Sequence, residues 1–305
     1  MTKERLVLFD GNAIIHRAYW AFPLSLTTKK GEIVNAVYGF SRMLLKALED
    51  LKPKFVICAF DLPGPNFRHQ AFIGYQAHRP EMEADLASQI DKVHQVVEAL
   101  GIPIFTQPGF EADDVLGTLS KLAKRRRKNL EVIIVTGDKD ILQLVEKRIK
   151  VLIPNKGFAA PTLFGPKKVK EALGVTPDQI IDYKALMGDS SDNYPGVSGI
   201  GPKTACQLLD RFSTLDQIYK NLDKIESESI RKKLEEGRES AFLSQKLAKI
   251  VIDLKLKLKF KQARFSYQKA TGAVELFEEL GFKSLIKRLP GSSVREEREK
   301  QMSLI

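Results

Sequence analysis

Cysteine is nearly missing from this 305-residue chain, which carries only Cys58 and Cys206. Cys58 sits in a strand-like run and Cys206 in a helical one, so both read as core residues. Two such cysteines build no disulfide framework, which points to a reducing, cytoplasmic setting. The four histidines, His16, His69, His78 and His94, show no zinc-ligand spacing. No apolar run approaches the ~20 residues needed to cross a bilayer, which excludes a membrane partner. Asp10 interrupts the first apolar stretch too early for a signal peptide. No internal repeat of fixed period is present.

Basic charge is abundant instead: the net formal charge is +11 and the pI ≈ 9.4, with 43% hydrophobic residues available for a core. A surplus of Lys and Arg suits a polyanionic partner, although charge alone does not select nucleic acid. Against this background nine acids stand out in five clusters. Asp10 closes LVLFDGN and Asp61 closes FVICAFD. Glu111, Asp113 and Asp114 lie in GFEADD. Asp138 and Asp140 lie in TGDKD, and Asp189 and Asp192 in MGDSSDN. Three clusters directly follow buried-type strands, where an open α/β sheet places its site. If they converge, the crowded carboxylates repel, and their pKa values rise unless cations neutralise them. Two hard divalent ions, Mg²⁺ or Mn²⁺, held by oxygen are the simplest neutraliser.

The first half alternates strand and helix. RLVLFD, FVICAFD, IPIFT, EVIIVT and KVLIP read as short buried strands, and 37–51, 84–100 and 112–123 as helices. This predicts an α/β fold: a mainly parallel sheet with helices on both faces over residues 1–165. A long polar connection, residues 62–85, interrupts it and carries Phe67, Arg68, His69, Tyr75 and Arg79. From about Pro166 to 290 the pattern is helical, apart from DLKLKLKF, whose Lys/Leu alternation reads as one more strand. Residues 291–305 read as a mobile tail.

Each motif also has a plain structural reading. A lone Asp after a strand caps a helix or forms a turn. Acids in GFEADD suit a helix N-terminus, yet Glu111 and Asp114 share a face and a second acid beside Asp113 adds little as a cap. MGDSSDN could be an Asx-rich turn. Together the clusters supply enough oxygens for two ions about 3.5–4 Å apart, the arrangement that assists in-line displacement at phosphorus. GVSGIGPKTACQLL superficially resembles a phosphate-binding P-loop, but Pro202 separates Gly201 from Lys203 and no buried strand precedes it. A helix–hairpin–helix fits better: Gly199 and Gly201 allow close approach to a DNA backbone, with Lys203 and Thr204 beside the phosphate. KLAKRRRKN reads as a solvated helix end that adds to long-range attraction.

The strings LFDGNAIIHRAYWAF, FRHQAFIGYQAHRPEM, GFEADDVLGTL, TGDKDILQLV and GDSSDNYPGVSGIGPKTA resemble the 5′-nuclease, or flap endonuclease, family. They are most similar to the 5′–3′ exonuclease domain of bacterial DNA polymerase I, over about residues 5–285. The resemblance implies a PIN-like nuclease core and a helical DNA-binding region. It implies a monomer that uses two divalent metals on DNA with a 5′ flap, a nick or a 5′ end. Asp10, Asp61, Glu111, Asp113 and Asp114 then serve the first metal, and Asp138, Asp140, Asp189 and Asp192 the second. It further implies K⁺ at the helix–hairpin–helix turn, and a helical arch at residues 62–85 through which the 5′ strand passes.

In that arch Tyr75 is expected to stack on a base and Arg79 to stabilise developing phosphate charge. The family commonly has Lys after the tyrosine, where this chain has Gln76. Arg68 could supply the missing cation, and Gln76→Lys is expected to raise single-turnover cleavage. The end, Gln301-Met302-Ser303-Leu304-Ile305, resembles the Q-x-S-L-apolar peptide that docks on the bacterial sliding clamp. Gln301, Leu304 and Ile305 would be its anchors. These expectations give a structure-specific DNA nuclease of replication and repair, cytoplasmic and nucleoid-associated. Two alternatives stand beside it: a PIN-like ribonuclease, and a non-catalytic DNA-structure binder.

Overall fold

The computed structural model describes residues 4–154, 161–270 and 272–289. Six strands form one sheet: β1 Glu4–Asp10, β2 Phe55–Ala59, β3 Ile104–Phe105, β4 Leu130–Val135, β5 Ile149–Ile153 and β6 Thr162–Phe164. Their order is β3-β2-β1-β4-β5-β6. All neighbours are parallel except β5 and β6. All five expected strands before residue 165 are present, and β6, not foreseen, closes the edge.

Parallel strands buried on both faces must be apolar throughout. β1 shows how the faces divide: Leu6 and Leu8 enter one core, Val7 and Phe9 the other. The first core takes the Ala112–Arg126 helix and most of the C-terminal helices, through Val169, Ile180, Leu209 and Ile218. The second takes the helices Gly11–Ala21, Asn35–Leu51 and Ile90–Ala99 and, from the far end of the chain, Ala273, Phe277 and Leu285. The helices after Pro166 therefore share a core with the sheet.

DLKLKLKF departs from expectation. Its alternation is real, with Leu254, Leu256, Leu258 and Phe260 against the first core and the lysines exposed. It pairs with no strand, because its backbone is engaged by a helix. The amides of Val251 and Leu254 donate to Asp114 Oδ1 (2.8 Å) and Thr118 Oγ1 (3.2 Å).

Chain order places the site. The chain runs outward from β1 to β2 and β3, then returns across the sheet to β4. Asp10 ends β1, and Asp138 lies three residues beyond β4. The two acids flank the switch point, the usual crevice for ligands in such sheets.

Candidate metal centre

Asp10 caps the Gly11–Ala21 helix: Oδ1 accepts from the Ala13 amide (3.0 Å) and Oδ2 from the Thr136 hydroxyl (2.6 Å). The capping alternative is thus correct and incomplete. Burial pushes Asp10 up to about 7, and the neighbouring Asp138 and Asp61 push the same way. Asp61 accepts from the Ala112 amide (2.6 Å), which ties the β2 end to the helix that carries Glu111, Asp113 and Asp114. Asp113 has no hydrogen-bond donor among the described residues. Burial raises it well above the carboxylate range, with Asp138, Asp10, Glu111 and Asp61 all adding to the rise.

Asp138 Oδ1 accepts the Asp140 amide (2.7 Å). Oxygens of Asp140, Asp189 and Asp192 lie within 4.8 Å of one another. Lys184, only 9% exposed, donates to Asp140 and to Asp189 (2.6 Å). Burial raises Asp140 to about 7, and Asp138 raises it further against the pull of Lys184. Burial acts in the same sense on Asp189, but Lys184 and Ser191 outweigh it and hold the group below its ordinary value.

Asp114 stands apart from the other acids. It is fully buried, and its oxygens meet Arg68 as a fork at 2.8 and 2.9 Å. It also accepts the amides of Glu111 (3.1 Å) and Val251 (2.8 Å). With its oxygens so engaged, it fastens the helix start and supports the site from behind. Glu111 accepts from Asn66 (2.7 Å), Arg68 (2.9 Å) and the Tyr75 hydroxyl (3.2 Å). Burial lifts it to about 7 although Arg68 opposes this.

The 62–85 segment differs from the expected arch. It holds only two short helices, Phe67–Ala71 and Ala84–Ala87, and its middle lies on the C-terminal region. Tyr75 is 3% exposed and packs against Tyr194, Leu247 and Ala248. A ring so enclosed offers no face to a base, so the stacking expectation is not met in this conformation. Arg68 is 2% exposed. Its five N–H donors meet five acceptors: Glu111, Asp114 twice, and the carbonyls of Leu247 and Lys249. It has no donor left for a phosphate, which removes it as the replacement cation. Arg79 is exposed, and its guanidinium makes no hydrogen bond or ion pair among the described residues; it adjoins Asp61 and His16. Gln76 takes a left-handed backbone (φ 54°). Its amide N–H and side chain both donate to Asp192, at 2.9 Å each.

Two participants escaped the sequence reading. Lys184 lies five residues before Asp189 on the mostly apolar helix Ile180–Met187, whose other charged residue is Asp182; a lysine on a burying face was the available signal. Asn66 caps the Phe67–Ala71 helix and reaches Glu111, with no signal in spacing.

The hairpin is built as the glycines suggest. The Ile180–Met187 helix leads into it and the Pro202–Phe212 helix leads out. Gly196 has φ +61°, and a Cβ there would lie 2.2 Å from the Gly188 nitrogen. Gly199 has φ +75° and Gly201 caps the outgoing helix. Lys203 is exposed and Thr204 half-buried beside it. Gln301, Leu304 and Ile305 lie outside the described residues.

A mostly half-buried, oxygen-only centre with too few protein donors for its carboxylates fits hard divalent cations. Residues 5–174 match the family described as 5′-3′ exonuclease, N-terminal resolvase-like domain, and 175–271 match 5′-3′ exonuclease, C-terminal SAM fold. The chain belongs to the 5′–3′ exonuclease family. It is 46% identical over 292 residues to DNA polymerase I of Caldicellulosiruptor bescii, covering 95% of this chain and 34% of the relative. It is 43% identical over 297 residues to thermostable DNA polymerase I of Thermus filiformis, covering 96% and 34%. The chain thus spans about a third of the length of these curated relatives.

Among solved structures, bacteriophage T5 D15 flap endonuclease in a pseudo-enzyme-product complex with DNA and metal ions shares the fold. Its TM-score is 0.67 at 19% identity, over 95% of this chain and 98% of that one. The catalytic core of Rad2 in complex with DNA substrate gives 0.57 at 17%, over 95% and 92%. No helix among the described residues is long and apolar enough to cross a membrane.

Proposed function

We propose that this chain is a structure-specific 5′ nuclease that hydrolyses phosphodiesters of 5′-flapped, nicked or 5′-ended DNA. The observation that carries the reading is the meeting of strand-end acids with the Asp189–Asp192 pair, which runs directly into the helix–hairpin–helix turn. Two divalent cations, Mg²⁺ or Mn²⁺, supply charge that stabilises the attacking and leaving oxygens. Asp10, Asp61, Glu111 and Asp113 would hold the first, and Asp138, Asp140, Asp189 and Asp192 the second. Asp114 and Arg68 position the first set. Arg79, exposed beside Asp61, meets the developing phosphate charge. Gly199, Gly201, Lys203 and Thr204 grip the duplex backbone without reading bases, with K⁺ at the same turn. The complexes of the T5 enzyme and Rad2 with DNA support this use of the fold.

The same proposal takes the chain as a monomer acting in replication and repair in the bacterial cytoplasm. The Gln301–Ile305 peptide would dock on the sliding clamp, and clamp pulldown that survives its deletion counts against that part. The central test is a labelled 5′-flap DNA with Mg²⁺ or EDTA, run beside single-stranded RNA. Mg²⁺-dependent flap cleavage is expected. Preferential RNA cleavage would favour the ribonuclease reading, and binding without cleavage a DNA-structure binder.

A further inference from the structure

The acidic centre occupies the C-terminal ends of the strands, and a second feature occupies the opposite ends. There, a groove of about 1640 Å³ is lined by eight Lys and Arg side chains and only three acids, Glu4, Glu131 and Glu146. The loops that enter β2, β4 and β5 supply it, through Lys52, Lys128 and Lys147. The bland explanation is that these cations close helix ends and neutralise neighbouring acids, and part of the set does so. Arg148 donates to the carbonyls of Lys124, Arg127 and Lys128 at the end of the Ala112–Arg126 helix. Arg5 donates to the carbonyl of Leu51.

Each acid already has two cations. Glu4 has Lys54 and Arg127, Glu131 has Arg5 and Lys150, and Glu146 has Lys121 and Lys124. Capping and pairing are therefore complete without Lys52, Lys128 and Lys147. These three are exposed, and their ammonium groups have no partner among the described residues. The surplus positive charge is directed into a concave surface that already holds fixed guanidinium groups.

We propose that this groove is a second, non-catalytic binding site for the phosphodiester backbone of nucleic acid. Its lining selects that class of ligand. Leu130 is the one apolar side chain among the lining residues, and it is buried. A protein partner needs apolar or aromatic anchors at the centre of its interface. Phosphate contacts need only cations and supply most of the affinity in sequence-independent binding. The six residues of β4 separate groove from acids by roughly 20 Å at ~3.3 Å per residue. A strand bound at both ends extends at least about 6 nucleotides from the cleavage point at ~3.4 Å each. The groove thus holds substrate arms far from the site, and it rests on the nuclease reading only in taking nucleic acid as the ligand.

The test is binding, read in EDTA so that cleavage plays no part and its absence would leave the result intact. The affinity of full-length protein for a long-armed 5′-flap DNA is measured against salt for wild type and for Lys52→Gln/Lys128→Gln/Lys147→Gln. A control triple, Lys220→Gln/Lys224→Gln/Lys261→Gln, removes the same charge elsewhere. Each lost contact removes about 0.7–0.9 from the slope of log K against log salt. The groove triple is expected to lower the slope by about 2–3 and weaken low-salt binding at least about tenfold, with the control triple near wild type. Equal effects of both triples, or no effect of the groove triple, would overturn the proposal. So would loss of a labelled oligo-glutamate peptide with unchanged DNA binding, which assigns the groove to acidic polypeptides. Unchanged circular dichroism confirms folding; should the triple fail that check, Lys147→Gln alone must lower the slope by about 0.7–0.9.

Discussion

Replacing Arg68 by Ala should act on the stability of this protein before it touches the chemistry. The guanidinium is 2% exposed and all five of its donors are engaged. Its removal strands the fully buried Asp114 and leaves the carbonyls of Leu247 and Lys249 without that donor. Removing one partner of a buried pair costs roughly 3–5 kcal/mol, a large part of a total stability of about 5–15 kcal/mol. At about 2–4 °C per kcal/mol for a chain approaching this size, Tm should fall by ~6–20 °C. Arg68→Lys keeps the charge but loses the fork, so it should fall between. Arg68→Met with Asp114→Leu should lose less than the two single changes summed, because neither charge is then left alone; the amides of Glu111 and Val251 still lose an acceptor. Thermal and urea melts in EDTA of wild type, the two other Arg68 variants, the double variant and its two single changes provide the measurement. An Arg68→Ala protein that melts within about 2 °C of wild type but no longer cleaves DNA would refute the reasoning and return Arg68 to the reacting phosphate.

Metal and pH should act together. Asp10, Glu111 and Asp140 sit at about 7, above their ordinary range. Raised carboxylates contribute stability that is full below about pH 4 and lost as pH rises through about 7. Millimolar Mg²⁺ should therefore raise Tm little at pH 5.5 and progressively more towards pH 8; a gain independent of pH would contradict this. Lys184→Met should lower Tm in EDTA, and Mn²⁺ should restore much of the loss by taking over as counter-ion to Asp140 and Asp189. An equal loss with and without Mn²⁺ would sink that account. Gln76→Lys should raise single-turnover flap cleavage. Since its ammonium would sit on Asp192, it should also raise the Mg²⁺ concentration needed for half-maximal rate. An unchanged Mg²⁺ requirement would show that residue 76 does not share that carboxylate.

The legible parts of this chain were those with a local physical signature. Buried strands announce themselves as apolar runs, and the acids that follow three of them need no long-range information to be noticed. The turn glycines Gly196 and Gly199 carry a local demand of the same kind, since a positive φ is a demand on a single residue. What sequence reading missed depended on contacts between distant positions. Arg68 and Tyr75 were assigned to phosphate and base because their segment is polar, yet residues 111–114, 194 and 247–249 enclose them. DLKLKLKF alternates as a strand does, but alternation records only that one face is buried, and here that face meets a helix. Lys184 showed only as a lysine on a burying face; its role was hidden because its partners, Asp140 and Asp189, come together only in the folded chain.

β1 carries a consequence beyond the site. Its odd and even residues feed two separate cores, and its last residue is the acid at the switch point. A slip of one residue against β2 or β4 would send each side chain to the opposite face. Both cores would then be wrong at once, and Asp10 would leave the crevice. Proofreading of the acid's position is thus built into packing: a chain that has closed both halves of its interior has, by that act, already aimed its first carboxylate.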